Sequence, residues 1–371
     1  MKADALIIGG GIQGCATAYH LARKGVSVIV VEKDYAGRHA SGVNAGGVRL
    51  LGRNMAEVPL SKASMEMWQN LDEDLGHDTG FRRQTLINIA ADEADLNTLR
   101  AREIKMHEAG YSHERMIDQA ELRDRLPHVN IDCVGGVISE LDGYAIPYKA
   151  TSAFRLAAEK LGAKVIEGEE VLSLRRVGNT WLAQGSRNAY EAEAVINCAG
   201  AWADRIALMI GDNVPLSHAA PMLMITARMP RLAKPVVGAV SRQLSFKQFE
   251  NGTVLIGGGA KGFADRANNR TRLDYAKLAA ACRTTTEHFP IMRKASINRM
   301  WAGLEAYMPD NLPVIGPAVN APRAFHAFGF SAHGFQMGPI VGQVLAELVA
   351  GGQSRFNLSP FRIDRFDRKI L

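Results

Sequence analysis

Gly9-x-Gly11-x-x-Gly14 follows the apolar run Ala5–Ile8 without a break, and a helical pattern follows it in turn. Glycines at this spacing let a chain turn tightly at the first, let phosphates approach the backbone at the second, and let helix and strand lie close at the third. A helix opening at Ile12 would aim free N–H groups and a partial positive charge at those phosphates. Glu32, followed by Lys33, closes a second apolar run 32 − 14 = 18 residues after the last glycine. Its carboxylate can accept hydrogen bonds from ribose hydroxyls and would repel a 2′-phosphate. These residues predict a dinucleotide cradle, with the choice between NAD and FAD left open by the fingerprint alone.

Three further stretches carry residue types suited to the same ligand. Ser41, Asn44, Ala45, Gly46 and Gly47 are small or polar and would let backbone run against a flat ring and a phosphate linker. Ala199, Gly200, Ala201 and Trp202 follow a buried strand pattern and would pass a pyrophosphate or a ring edge. His333-Gly334-Phe335-Gln336-Met337 opens the last helical pattern, and a glycine-bearing helix N-terminus is a site for negative charge.

The elements needed to position them are readable in outline. Ala5–Ile8, the helix after Gly11 with Gly25 as its C-cap, and Val26–Val31 form a βαβ unit whose continuous apolar strands predict a parallel sheet covered on both faces. Helical patterns cover Lys62–Leu75 and Glu93–Ala109. A second βα passage starts at Pro147, a residue suited to a first helical turn, and ends at Gly162. Short strands follow up to Ala194–Cys198. After about Ala219 the pattern changes to Met222–Ala227, Val236–Val240, Leu244–Glu250 and Thr253–Gly257, with Asn251-Gly252 as a hairpin signal. A helix near Asp274–His288, strands near Arg299–Leu304 and Ala324–Phe328, and a helix over Phe335–Ala350 complete the chain. The fold class expected is α/β (α+β). A discontinuous Rossmann-like domain with a parallel sheet takes residues 1–85, 145–215 and 320–371. A substrate domain with a mixed, largely antiparallel sheet takes 86–144 and 216–319.

Composition narrows the function classes. At 371 residues, 47% hydrophobic and 22% charged, the chain can bury a large core and is not a disordered one. Its net charge of +6 comes from bases interleaved with acids, as in Glu121–Arg125, and no aromatic-rich basic stripe predicts nucleic-acid binding. Four scattered cysteines, none in a C-x-x-C pair, predict neither a zinc site nor a disulfide framework. With no signal-peptide pattern and no apolar run of membrane-spanning length, a cytoplasmic protein is expected.

Four stretches together resemble the amino-acid-oxidising flavoproteins that include D-amino acid oxidase, glycine oxidase and sarcosine oxidase. They are GGGIQGCATAYHLARKGVSVIVVEKD from Gly9, SGVNAGGVR (Ser41–Arg49), VINCAGAWAD (Val195–Asp204), and the pair RMWAGLEAYMPDNLPVIGP (Arg299–Pro317) and FSAHGFQMGP (Phe330–Pro339). The resemblance implies FAD over NAD. It implies hydride transfer to flavin N5 from a carbon bearing an amine, giving an imine, and a contact from Val171 to adenine. It also sets the start of the last helix against the flavin's pyrimidine edge, where His333 would touch substrate. A substrate carboxylate needs a basic partner. Arg49 is the first candidate and Lys247 the second, with Glu305 and Tyr307 joining them in the active site.

Two departures from the family pattern shape the expectation further. Glycine oxidase-like members carry a carboxylate-binding arginine in the stretch matching Gly303–Pro309, where this chain has Glu305, an acid able to receive a cationic group such as a guanidinium. Members with covalent FAD use a cysteine there, and Trp301–Asp310 has none, so FAD should be noncovalent. The motifs look most like the β subunits of multi-subunit amine and imino-acid dehydrogenases and oxidases. That likeness implies an α-subunit partner carrying further redox centres and FMN at the interface, held noncovalently because Leu141–Pro147 lacks histidine. The substrate expected is a small amino or imino acid such as sarcosine, proline, hydroxyproline or an opine. An opine oxidase subunit, a non-catalytic FAD electron-relay subunit and an NAD-linked dehydrogenase stand as alternatives.

Overall fold

The computed structural model describes residues 1–369, so Ile370 and Leu371, the last two residues of the expected nucleotide domain, lie outside the described residues. Two large sheets organise the chain. The first has eight strands, with Val171–Val177, Thr180–Gly185, Ala189–Asn197, Lys2–Ile8, Val28–Val31 and Lys164–Ile166 side by side in that order. Lys2–Ile8 pairs in parallel with both Val28–Val31 and Ala189–Asn197. Val28–Val31 is buried at every position, as a parallel strand covered on both faces must be. Ala189–Asn197 is long enough to serve two further partners along its other edge. Its first half pairs antiparallel with Thr180–Gly185, and its last three residues pair in parallel with Ala324–Phe328. Val314–Pro317, on the substrate side of the expected boundary at 319, is hydrogen-bonded to Ala324–Phe328 and so belongs to this sheet.

The second sheet has eleven strands and draws on two separated parts of the chain. Leu86–Ala90, Arg115–Asp118 and Gly135–Ser139 join strands from Ser217–Thr226 through Glu305–Tyr307. Its pairings are antiparallel except where Val236–Ala239 runs parallel to Leu86–Ala90. The Asn251-Gly252 turn forms as expected between Ser245–Gln248 and Val254–Gly257, with Gly252 at φ +86°. One hairpin went unread: Lys261–Asp265 pairs with Arg270–Arg272 through a turn at Arg266–Asn269. Its strands are short, charged and mostly exposed, and give no apolar alternation to detect.

Helix boundaries follow local chemistry. Gly25 and Gly162 take positive φ just beyond their helices, Pro147 opens Pro147–Lys160, and Asp274 caps Tyr275–His288 through the N–H of Lys277 at 3.2 Å. The helix expected from Lys62 begins a turn earlier, at Val58. Among the described residues no helix is long and apolar enough to cross a membrane.

The closest helix contact joins the first helix, Ile12–Arg23, to the last, Gly334–Gly351. A Cβ on Gly338 would come within 2.8 Å of Ile12, and one on Gly342 within 2.6 Å of the Ala16 backbone. These two glycines therefore set the separation of the helices, and Gln13 Nε2 donates to the carbonyl of Gly334 at 2.8 Å where the two N-termini meet. Gly342→Ala should force the helices apart and destabilise the protein by about 1–3 kcal/mol. A lower urea midpoint with unchanged slope would register this, and an unchanged midpoint would show that the contact can relax.

Candidate active site

A cavity of about 820 Å³ takes its walls from both sheets and from the N-termini of the first and last helices. Of the residues read from the sequence, Gly9, Gly11, Ile12, Glu32, Lys33, Ser41, Asn44, Ala45, Gly47, Arg49, Val171, Ala199, Gly200, Trp202, Glu305, Tyr307, His333, Gly334, Phe335 and Gln336 all line it. Residues from seven separate stretches of chain thus converge on one space.

The dinucleotide end is shaped by close backbone contacts. Gly9, at φ +108°, lies where a Cβ would meet the carbonyl of Cys198 at 2.3 Å, and a Cβ on Gly14 would meet the carbonyl of Gly9 at 2.0 Å. Gly14 therefore works behind the cavity, joining helix to strand. Gly11 is the N-cap of the first helix and has no side chain of its own to cap it, and no acidic residue occupies the first turn. Ser41 Oγ accepts from the Ile12 N–H at 2.9 Å and fastens the 40–47 loop to the helix tip. Glu32 accepts from the N–H groups of Gly10 (2.7 Å) and Asp34 (2.9 Å), leaving lone pairs for a ribose, while burial raises its pKa against those bonds. Lys33 Nζ lies 3.1 Å from the Trp202 ring centroid, and Trp202 Nε1 donates to the Arg266 carbonyl at 3.2 Å. Gln13 lines this cavity, and its Oε1 is buried without a hydrogen-bond partner. A glycine-walled cradle, a helix N-terminus with a glycine N-cap and no acid in its first turn, an acid for ribose and an orphaned amide oxygen fit FAD.

The opposite electrostatics come from a segment that the sequence only half revealed. Arg49 and Arg53 both line the cavity, Arg53 buried and Arg49 half-buried, and neither has a carboxylate within 4.0 Å among the described residues. Arg49 spends one N–H on the carbonyl of Leu51 at 2.7 Å, which leaves the rest of its guanidinium fork unbonded. Arg53 is more committed. It donates to the side chain of Gln336 (2.8 Å) and to the carbonyls of Arg49 (3.1 Å) and His333 (3.3 Å), and burial pushes its pKa down to about 9. Buried Asp142 accepts from the N–H groups of Leu50 (2.9 Å) and Leu51 (3.1 Å) and from Ser139 Oγ (2.9 Å), so the backbone between the two arginines is fixed. Glu114 accepts from the Gly52 N–H at 2.9 Å and pairs with Arg102 at 2.7 Å.

His333 is anchored by a partner that the sequence did not single out. Its Nδ1 lies 3.1 Å from buried Glu57. Burial alone would raise the Glu57 pKa, but the histidine and Arg53 outweigh it and hold the carboxylate below its ordinary value. Burial lowers the His333 pKa despite Glu57, so near neutrality the ring is uncharged. Nδ1–H then faces Glu57 and Nε2 has no partner among the described residues. Gln336 lines the cavity as expected, and its amide also donates to the Ser61 carbonyl at 2.9 Å and accepts from Arg53, which locks the arginine. Glu57, Arg53 and Asp142 left only faint signals, since their partners lie far away in the chain; a second arginine four residues after Arg49 was the one local cue.

Glu305 lines the cavity as expected, with burial pushing its pKa up to about 7. One oxygen accepts from the Ala332 N–H at 2.9 Å and the other faces Tyr307 Oη at 3.4 Å. The Ala332 bond steadies a turn in which Ser331 (φ +50°) and Ala332 (φ +72°) both adopt left-handed backbone, at about 1–2 kcal/mol each. Strain of this kind immediately before His333 marks a place where side-chain direction matters.

Three expectations need correcting. Lys247 is not among the cavity-lining residues; its Nζ donates to the carbonyl of Ala45 from the far side of the 40–47 loop, so it is not a partner for a substrate carboxylate in the cavity. Met337 is fully buried on the core side of the last helix. Gly46, at φ +67°, contacts the carbonyl of Ala145 and not the cavity, a place no other residue could take because a Cβ would come within 2.1 Å. Asp142→Ala would leave the Leu50 and Leu51 amides buried and unsatisfied. It should cost on the order of 2–6 kcal/mol, seen as a lower unfolding midpoint, and a near-neutral effect would show that this segment is not under constraint.

Comparison with known proteins agrees with this geometry. A family model described as "FAD dependent oxidoreductase" (DAO) matches residues 4–348. The chain is 24% identical to one of the subunits of opine oxidase from Rhizobium meliloti, over 99% of this chain and 98% of that one. It is 26% identical to peroxisomal sarcosine oxidase of Mus musculus over 98% and 96%. The solved structure of L-proline dehydrogenase from P. horikoshii superposes with a TM-score of 0.92 at 27% identity, covering 99% of this chain and 98% of that chain. With its glycine cradle at the tip of the first helix and a family match along nearly the whole sequence, this chain belongs to the DAO family of FAD-dependent oxidoreductases.

Proposed function

We propose that the protein oxidises the C–N bond of an amino or imino acid, with a secondary amine such as sarcosine, proline, hydroxyproline or an opine as substrate, and releases an imine. Residues 1–85, 145–215 and 320 onward hold FAD in this reading, while 86–144 and 216–319 shape the substrate side. Bound FAD would supply the two-electron oxidant, with N5 as the hydride acceptor. The protein's own residues do the rest. Arg49 receives the substrate carboxylate through the unbonded part of its fork. Arg53 adds positive charge and, through Gln336, fixes the wall. The amine must be neutral before hydride leaves, and the free Nε2 of His333, whose Nδ1–H is steadied by Glu57, takes up the ammonium proton.

The observation that carries this reading is the state of Arg49: a half-buried, cavity-lining guanidinium, its pKa lowered by desolvation, with no carboxylate partner among the described residues. Desolvating an unpaired charge costs several kcal/mol, and an anionic ligand is what would offset it. The test is anaerobic mixing of the yellow protein with sarcosine, prolines, hydroxyprolines, D-amino acids and opines. Bleaching by at least one supports the proposal. Arg49→Met should then raise KM for that substrate at least about 100-fold with a smaller change in kcat, whereas an unmoved KM would remove Arg49 from the site.

The name of the opine oxidase relative and the cavity position of Glu305 favour a second reading, that of an opine oxidase subunit. A guanidinium on the substrate would need Glu305 ionised. With its pKa at about 7, binding of such a substrate should weaken as pH falls from 8 to 6. Glu305→Gln should hurt guanidinium substrates far more than small ones and abolish that pH dependence. Equal losses for both substrate types would reject this reading, and Glu305 would be left with its turn-holding bond alone.

We also propose that the chain is the FAD-bearing subunit of a hetero-oligomer, in keeping with that relative's being named as a subunit. A second concavity of about 420 Å³ includes Arg82, Tyr144, Ile146, Tyr148, Lys149 and Phe249. Its rings would stack a noncovalent FMN shared with a partner chain, while Arg82 and Lys149 are already paired with Glu250 (3.6 Å) and Asp78 (2.6 Å).

A further inference from the structure

Lys247 is a buried cation that the chemistry above does not use. It is 4% exposed, and its Nζ donates to the Ala45 carbonyl. The Tyr144 ring centroid lies 5.0 Å away and that of Phe249 5.5 Å, while no carboxylate comes within 4.0 Å among the described residues. A methionine would fill this space without the expense of desolvating a charge.

The surroundings show what the lysine holds. Ala45 belongs to the 40–47 loop that lines the cavity, and Lys247 grips it from behind. Two residues earlier the same loop is held in the same way, since Trp301 Nε1 donates to the Val43 carbonyl at 2.8 Å. Gly303 lies so close to Val43 that a Cβ there would meet its side chain at 2.4 Å. The second sheet thus clamps alternate carbonyls of a loop whose other side is fastened to the first helix through Ser41. Within the loop Asn44 is spent on the loop itself, donating to the Ala40 and Ser41 carbonyls and accepting from the Gly46 N–H. Of these clamps, that of Lys247 alone carries charge.

We propose that Lys247 is a positioning residue for FAD: it fixes the 40–47 loop through the Ala45 carbonyl and lays a positive charge behind the cavity wall that favours reduced over oxidised FAD. This rests on FAD occupying the cavity and is independent of which amine is oxidised. Tyr144 and Phe249 also border the second concavity, so the ammonium stands in the wall between the two spaces.

The test compares Lys247→Met, which removes both donor and charge, with Lys247→Gln, which keeps a donor without charge. FAD dissociation constants, flavin midpoint potentials and melting of the apoprotein would be measured at pH 6, where an ammonium titrating at about 7 is charged. The methionine variant should melt with wild type, bind FAD about tenfold more weakly, and lose about tenfold in its preference for reduced FAD, equivalent to about 30 mV for a two-electron couple. The glutamine variant should recover most of the affinity but not the potential. Wild-type affinity and potential in the methionine variant would overturn the proposal. Should that variant fail to fold, the potential of the glutamine variant decides: a fall supports it, and no change overturns it.

Discussion

The approach of the first and last helices is the constraint on which the rest of the structure depends. Gly338 and Gly342 let the last helix lie against Ile12 and Ala16 with no intervening side chain, and Gln13 then reaches the carbonyl of Gly334. Two helix N-termini from opposite ends of the chain, each with N–H groups directed outward, come to border one cavity. Separating them by a single side chain would move the phosphate end of the cradle relative to His333 and to Arg53, which donates to Gln336 and to the His333 carbonyl.

That cavity is electrostatically uneven. Toward the 49–57 segment it presents two guanidinia without carboxylate partners among the described residues and a histidine held on Glu57. Toward the Glu305–Tyr307 strand it presents an acid whose charge is weakened by burial. Every bond that Asp142, Glu114 and Gln336 make to the first segment fixes backbone or Arg53, and none of them neutralises Arg49. The fold thus keeps one strong anion receptor free, together with one weak acid at a different wall. A bound amino acid carries both charges and could satisfy the two at once.

What could be read from the sequence was the part in which cause and effect are local. Gly9, Gly11 and Gly14 act within one turn, and Glu32 closes the next strand, so the cradle was legible before any coordinates. Val28–Val31 announced a parallel sheet by being apolar throughout. The pairing of Leu86–Ala90 with Val236–Ala239 was not legible, because it joins segments about 150 residues apart and nothing in either names the other. Arg53 and Gln336 look like an ordinary arginine and an ordinary helix glutamine until the fold sets them 2.8 Å apart. Lys247 illustrates the reverse difficulty. A lysine on a strand near the site suggested a ligand contact, and the side of the strand it occupies, set by register, turned it to the back of the loop.

Arg49 as a carboxylate receptor beside FAD is the central claim, and ligand binding without turnover tests it most directly. The flavin absorbance of the purified protein would be titrated with a carboxylic acid that lacks an oxidisable amine. A saturable shift that persists in Glu305→Gln and disappears in Arg49→Met is the predicted result. A shift of equal affinity in Arg49→Met would contradict it and move the anion site elsewhere in the cavity.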